Sequence, residues 1–111
     1  MIKFAFLINR VSTMTVEEFR HHHREKHAPL FMSIPEADEL VCKYTVSHPV
    51  AAPGYQKPAY DGLTEIWFES WADHDAFFAS DNYKTQVNPD EKCFIDFSNV
   101  GVMVTEETVL K

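Results

Sequence analysis

Cysteine, glycine and positive charge are all scarce in this chain, and each shortage closes a class of explanation. The two cysteines, Cys42 and Cys93, stand far apart with no C-x-x-C spacing. That leaves neither a disulfide framework nor a cysteine metal cluster, and it points to a reducing, cytoplasmic setting. Gly54, Gly62 and Gly101 are the three glycines, each isolated, so no glycine-rich loop exists to cradle the phosphates of a nucleotide or nicotinamide cofactor. Lys and Arg number 10 against 17 Asp and Glu, a formal charge of −7. The concentrated basic surface that nucleic acid or anionic lipid demands is therefore missing. No apolar run approaches the roughly 20 residues of a membrane span. Met1 to Arg10 lacks a strongly basic leader and a small-residue cleavage site, and its alternation fits a strand better than a secretory signal. No G-x-S-x-G is present. The partner left by these exclusions is a small molecule, a second copy of the chain, or both.

Large apolar side chains are abundant instead. The 111 residues hold nine Phe, four Tyr and two Trp, with 45% hydrophobic and 24% charged residues, as in an ordinary globular domain. A single domain over 1–111 is expected. A chain this short leaves about a third of its unfolded surface exposed, which favours completing its burial against a second copy.

Hydrophobic spacing orders the elements. Ile2, Phe4, Phe6 and Ile8 share one face of a first strand, and Lys3, Ala5, Leu7 and Asn9 the other. Thr15-Val16-Glu17-Glu18 is a capping-box pattern, predicting a helix from about Val16 to Ala28, where Pro29 discourages continuation. At roughly 100° per residue, Val16, Phe19, His23, His27 and Leu30 fall in one stripe with His22 on its flank. Ser33 to Glu39 reads as a loop and Leu40 to His48 as a strand with Cys42, Tyr44, Val46 and His48 on one face. Three prolines and a glycine make Pro49 to Tyr60 irregular. A third strand, Leu63 to Glu69, puts Leu63, Glu65 and Trp67 on one face and Thr64, Ile66 and Phe68 on the other. Ser70 caps a second helix ending near Ser80, Asp81 to Lys92 holds a short helix or turns broken by Pro89, and Ser98 to Thr105 is the last strand. There is no internal repeat and no linker. The order βαββαβ is the ferredoxin-like α+β arrangement, an antiparallel four-stranded sheet with helices on one face. Its uncovered face would be an apolar patch that soluble proteins rarely expose, and a homodimer covers it.

Four of the six histidines lie between Arg20 and Leu30. His moves protons near neutral pH, and His23 and His27, four apart on the apolar stripe, point into the domain. Each also fits a core histidine satisfied by a carbonyl or carboxylate, and His at i and i+4 is half of a zinc site, although no local spacing supplies a third ligand. Tyr44 and His48 share a strand face, where a tyrosine can hydrogen-bond an enolate oxygen and a histidine exchange a proton. Glu65, between Leu63 and Trp67, is either at a strand edge or buried against a partner, for which a first-helix histidine would serve.

The run Met14-Thr15-x-Glu17-Glu18-Phe19-x-x-His22-His23-x-x-x-His27-Ala28-Pro29-Leu30 resembles the signature of the EthD domain family, of the dimeric α+β barrel superfamily. So do Tyr44, Asp61-Gly62-x-x-Glu65-x-Trp67-Phe68 and the closing Val104-Thr105-Glu106-Glu107. One departure is His23, where the family usually carries Trp. The resemblance implies a homodimer whose sheets form a barrel. It also implies relatives that include polyketide-pathway decarboxylases, lactone isomerases and cyclases, and cofactor-free quinone-forming monooxygenases. By position His27 matches the motif histidine, Tyr44 the strand tyrosine and Glu65 the third-strand acid.

The sequence thus leads to an expected lyase or isomerase without cofactor or metal, acting on a small phenolic, polyketide or lactone ligand. His27 serves as general acid/base, Tyr44 holds the developing oxyanion, and His23 and His48 assist. Phe4, Phe6, His22, Glu65 and Trp67 contact the substrate. The alternatives are a cofactor-free monooxygenase and a non-catalytic binding dimer.

Overall fold

The computed structural model describes residues 1–111. Its elements are β1 (Ile2–Ile8), α1 (Val16–His21), α2 (Ala28–Ser33), α3 (Pro35–Leu40), β2 (Val41–Ser47), β3 (Gly62–Phe68), α4 (Trp71–Ala79), α5 (Asn88–Phe94) and β4 (Gly101–Glu106). Two π-helical segments, His22–His27 and Tyr83–Val87, lead into α2 and α5. All strand pairs are antiparallel, in the order β2-β3-β1-β4. This is the ferredoxin-like α+β fold, with the helices on one side of the sheet. None of the helices is long and apolar enough to cross a membrane.

Thr15 caps α1: its hydroxyl accepts from the Glu18 N–H at 3.1 Å, and the Glu18 carboxylate accepts from the Thr15 N–H at 2.9 Å. The helix does not stop at Ala28. Proline has no N–H, and its ring crowds the carbonyl four residues back. The chain takes that up by widening the preceding turn, so that the Ala28 N–H donates to the His23 carbonyl, five residues back, and Pro29 enters the first turn of α2. Pro89 stands in the same place after the second wide turn, where the Asn88 N–H donates to the Tyr83 carbonyl. Pro35 likewise opens α3, which replaces the expected loop: a proline read as a breaker is also the favoured first residue of a helix.

The pleat decides what the helices can reach. Phe6 pairs with Thr64 and Phe4 with Ile66, and these four face the helices with Tyr44. Glu65, Trp67 and Lys3 therefore point the other way. There Lys3 Nζ lies 2.9 Å from the Glu65 carboxylate, and the ammonium groups of Lys3 and Lys43 lie 5.3 and 4.8 Å from the Trp67 ring centre. The far face of the sheet thus mixes these charges with Ala5, Leu7, Leu63, Trp67 and the exposed Met103, rather than being apolar throughout. Asp61, ahead of β3, takes the Arg10 backbone N–H at 2.9 Å and its guanidinium at 3.0 Å, fastening the end of β1 to the start of β3.

The reciprocal Thr15–Glu18 cap starts the helix that carries the histidines. Thr15→Ala is expected to cost about 1 kcal/mol of stability, lowering Tm by about 4 °C in a domain of this size; an unchanged thermal melt would contradict it.

Candidate functional site

Between the helices and the sheet lies a cavity of about 420 Å³, with twelve of its seventeen lining residues hydrophobic. Phe4 and Phe6 form its floor from β1, Phe31 and Phe94 its walls, and the half-exposed Phe97 and Val102 its rim. The polar groups are few: His27, Tyr44, Thr64, His74, Tyr83, Asn88 and Glu91. A cavity of this size and apolarity, with a handful of polar groups, is what a small-molecule site requires.

The wide turn directs the histidines. In α-helical register His22 and His27, five apart, would diverge; across a π turn they converge. His22 Nε2 lies 3.0 Å and His27 Nδ1 2.8 Å from the same oxygen of Asp90, in the first turn of α5. A carboxylate only accepts, so Nδ1 of His27 carries the proton and Nε2 keeps its lone pair, with no protein partner. Burial holds the His27 pKa below its ordinary value, against the opposing pull of Asp90. The ring is therefore a neutral base at pH 7. Phe94, fully buried, packs against the rings of His22, His23 and His27 at 4.8, 5.6 and 4.9 Å.

Tyr44 stacks on Phe31 with ring centres 3.9 Å apart. Its hydroxyl is buried without a hydrogen-bond partner, and burial raises its pKa, which keeps it a neutral donor. Such an orphan is costly unless something else fills the role. Also on the cavity, Tyr83 donates its hydroxyl to Glu91 at 2.6 Å. Burial pushes the Glu91 carboxyl up to about 7 despite that hydrogen bond.

The nine residues singled out from the sequence thus separate. Phe4, Phe6, His27 and Tyr44 line the cavity. His22 meets the cavity's chemistry through Asp90, whereas His23 bonds to Thr64 and His48. Glu65 and Trp67 are corrections: they face away from the helices, and the acid beside the histidines is Asp90 rather than Glu65. Sequence reasoning missed Asp90, Glu91, Tyr83, Thr64, Asn88 and His74. Asn88-Pro89-Asp90-Glu91, a proline followed by acids, is a helix-start signal that could have placed the two carboxyls. No three His, Cys, Asp or Glu side chains are grouped so as to hold a metal ion.

Fold and cavity together define a small ferredoxin-like domain with a largely apolar, half-open site. The EthD domain model matches residues 12–98, and the chain belongs to the EthD domain family. Among solved structures it is similar to an ethyl tert-butyl ether D (EthD) family protein from Bacillus halodurans, at 20% identity and TM-score 0.75 over 97% of this chain and 99% of that one. An EthD-like protein from Ralstonia eutropha superposes with TM-score 0.70 at 12% identity, covering 99% and 95% of the two chains. A dimeric protein of ferredoxin-like fold from Bacteroides fragilis gives TM-score 0.67 at 12% identity over 96% and 95%. At these identities the likeness establishes the fold. No curated protein matches the chain in sequence.

Glu91 makes a testable electrostatic prediction. Between the ordinary carboxyl value of 4.5 and about 7, the folded chain holds a proton that the unfolded chain has lost. Its contribution to stability is thus fully present below pH 4.5 and falls as pH rises through 7, by about 3 kcal/mol at most. His23, held down to about 3 by burial, tilts stability the opposite way from pH 3 to 6.5, so the comparison must be with a variant that retains it. The unfolding free energy of Glu91→Gln relative to the parent is expected to shift in the variant's favour between pH 4.5 and 8. A pH-independent difference in denaturant titrations would refute the assignment.

Proposed function

We propose that this EthD-domain protein is a cofactor-free lyase or isomerase that moves protons on a small oxygenated ring compound held in the cavity. The observation that carries the reading is the buried, unpartnered Tyr44 hydroxyl sharing one apolar cavity with the free Nε2 of His27. His27 takes a proton from carbon or from a phenol, with Asp90 stabilising the imidazolium through Nδ1–H. Tyr44 donates to the oxygen on which charge develops. Glu91, with a pKa of about 7, supplies the returning proton, and its hydrogen bond from Tyr83 fixes the carboxyl's direction. Positioned acid–base groups of this kind contribute about 100- to 10,000-fold, enough for an activated β-keto, dienol or phenolic substrate.

The charge of the walls narrows the ligand. No Lys or Arg lines the cavity, and Glu91 is one of its walls. A substrate carboxylate would lie there without a counter-ion, at a cost of several kcal/mol or more. A neutral phenol, enolisable ketone or lactone suits the site better than an acid. We further propose that the chain works as a homodimer, as the Bacteroides fragilis protein is described to be.

The test is 5-nitrobenzisoxazole, a neutral bicyclic aromatic that loses a carbon-bound proton and opens to a phenolate, so that it needs both a base and an oxygen-facing donor. The protein is expected to accelerate the opening saturably. His27→Gln is expected to lower kcat/KM about 100-fold, and Tyr44→Phe about tenfold. Equal rates for the parent and His27→Gln would rule the mechanism out.

A further inference from the structure

A buried titratable group, His23, has no part in this scheme. His23 has no exposed surface and does not line the cavity, yet both of its ring nitrogens are engaged. Nε2 lies 2.8 Å from the Thr64 hydroxyl and Nδ1 2.9 Å from Nε2 of His48. Thr64 is a wall of the cavity. His48, just beyond β2, is half-buried, and its Nδ1 has no protein partner. The three side chains therefore make an unbroken hydrogen-bonded line from the cavity, through the middle of the domain, to its surface.

The packing holds this line closely. A side chain at Gly62 would place its Cβ 3.1 Å from the Phe19 ring and 3.4 Å from His23 Nδ1, so the bare backbone there is what lets the Phe19 and His23 rings approach β3. Phe19 and Phe94 border His23 at ring distances of 5.7 and 5.6 Å. The titratable or charged groups that act on it are His22 and His27 of its own helix and His48 at the end of β2, while Arg20 and Arg24 act on His48. Filling this space would need only a phenyl ring. An imidazole there costs desolvation that its two hydrogen bonds must offset.

We infer that Thr64, His23 and His48 form a proton relay that connects the cavity with solvent. The proposal deepens the acid–base reading of the cavity and rests on it for its purpose. In one passage His48 takes a proton from water at Nδ1 and gives its Nε2 proton to Nδ1 of His23. His23 gives its Nε2 proton to Thr64 Oγ1, and the original Thr64 proton leaves into the cavity. One proton enters and one emerges, every group ends neutral, and both imidazoles have exchanged tautomers. A proton leaving the cavity by the reverse path restores the starting state, so a reaction that removes one proton from its ligand and returns another leaves the line ready for the next turnover. Because burial holds the His23 pKa down to about 3, the ring passes protons without storing charge.

Ring-15N histidine NMR on the full chain tests this without any ligand. In the parent protein both ring nitrogens of His23 should resonate between the protonated and unprotonated positions, averaged by tautomer exchange. Its ring N–H should trade with water far faster than a fully buried group reached only by local opening. His48→Gln keeps a side chain able to hydrogen-bond Nδ1 but cannot hand on a proton. There the shifts should collapse to one tautomer and the exchange slow by about tenfold or more. A purely structural hydrogen bond predicts the reverse, with one tautomer already in the parent and exchange in His48→Gln unchanged or faster; either result would overturn the relay. The parent measurement alone decides the matter if the variant does not fold. Fast tautomer exchange alongside failure to open 5-nitrobenzisoxazole would count against the proposed function and leave the relay standing.

Discussion

A missing backbone donor organises the site. Pro29 cannot continue an α-helix in register, so the turn before it widens and the Ala28 N–H reaches back to His23. That one extra residue per turn brings His22 and His27 to a single carboxylate. Without it the two rings would point to different sides of the helix, and His27 would have no acid to fix its tautomer. The pattern of protonation follows directly: Asp90 can only accept, so the lone pair of His27 is left to the cavity. π turns recur at functional sites for this reason: they redirect side chains at the cost of helical hydrogen-bond geometry.

Adjacent acids at the start of α5 meet opposite surroundings. Asp90 is partly open to water and faces two imidazoles, whereas Glu91 is turned among aromatic rings with one phenolic hydroxyl for company. Desolvation dominates at Glu91 and carries its pKa to about 7. Two neighbouring carboxyls are thus set apart by their surroundings alone: Asp90 accepts from two imidazoles, and Glu91 holds its proton to higher pH than a carboxyl in water.

Alternation in the sequence identifies which residues share a strand face, but not which face turns inward. On β3 the two choices, Leu63-Glu65-Trp67 and Thr64-Ile66-Phe68, are similarly apolar, and Trp67 made the wrong one attractive. Register resolves it, because Trp67 pairs with Lys3 and Ile66 with Phe4. The indole is buried on the far side under two lysines, where their charge meets the face of the ring. Element order, the capped start of α1 and the inward turn of His27 were all legible, since each depends on local spacing. Asp90 and Glu91 were not: they stand in the first turn of a helix that Pro89 helps to start, and a proline inside a polar run signals a break as readily as a start. Likewise Ser33 to Glu39 reads as a loop from its proline and acids, because the sequence alone does not show that Pro35 begins α3 rather than ending structure.

The two halves of the domain share more than their element order. From His21 to Ile34 and again from Asp81 to Phe94 the succession of buried and exposed residues is the same, each with its wide turn and its proline. No sequence repeat reveals this, because the side chains at matching places differ. His23 answers to Tyr83, His27 to Val87 and Phe31 to Glu91. The first half thus brings the imidazole of His27 to the cavity, and the second brings the phenol of Tyr83 and the carboxyl of Glu91. Phe31 carries the Tyr44 ring stacked on it, while Glu91, at the matching place, takes the Tyr83 hydroxyl. A repeated backbone so carries different chemistry at matching places, an imidazole and a phenyl ring in the first half, a phenol and a carboxyl in the second.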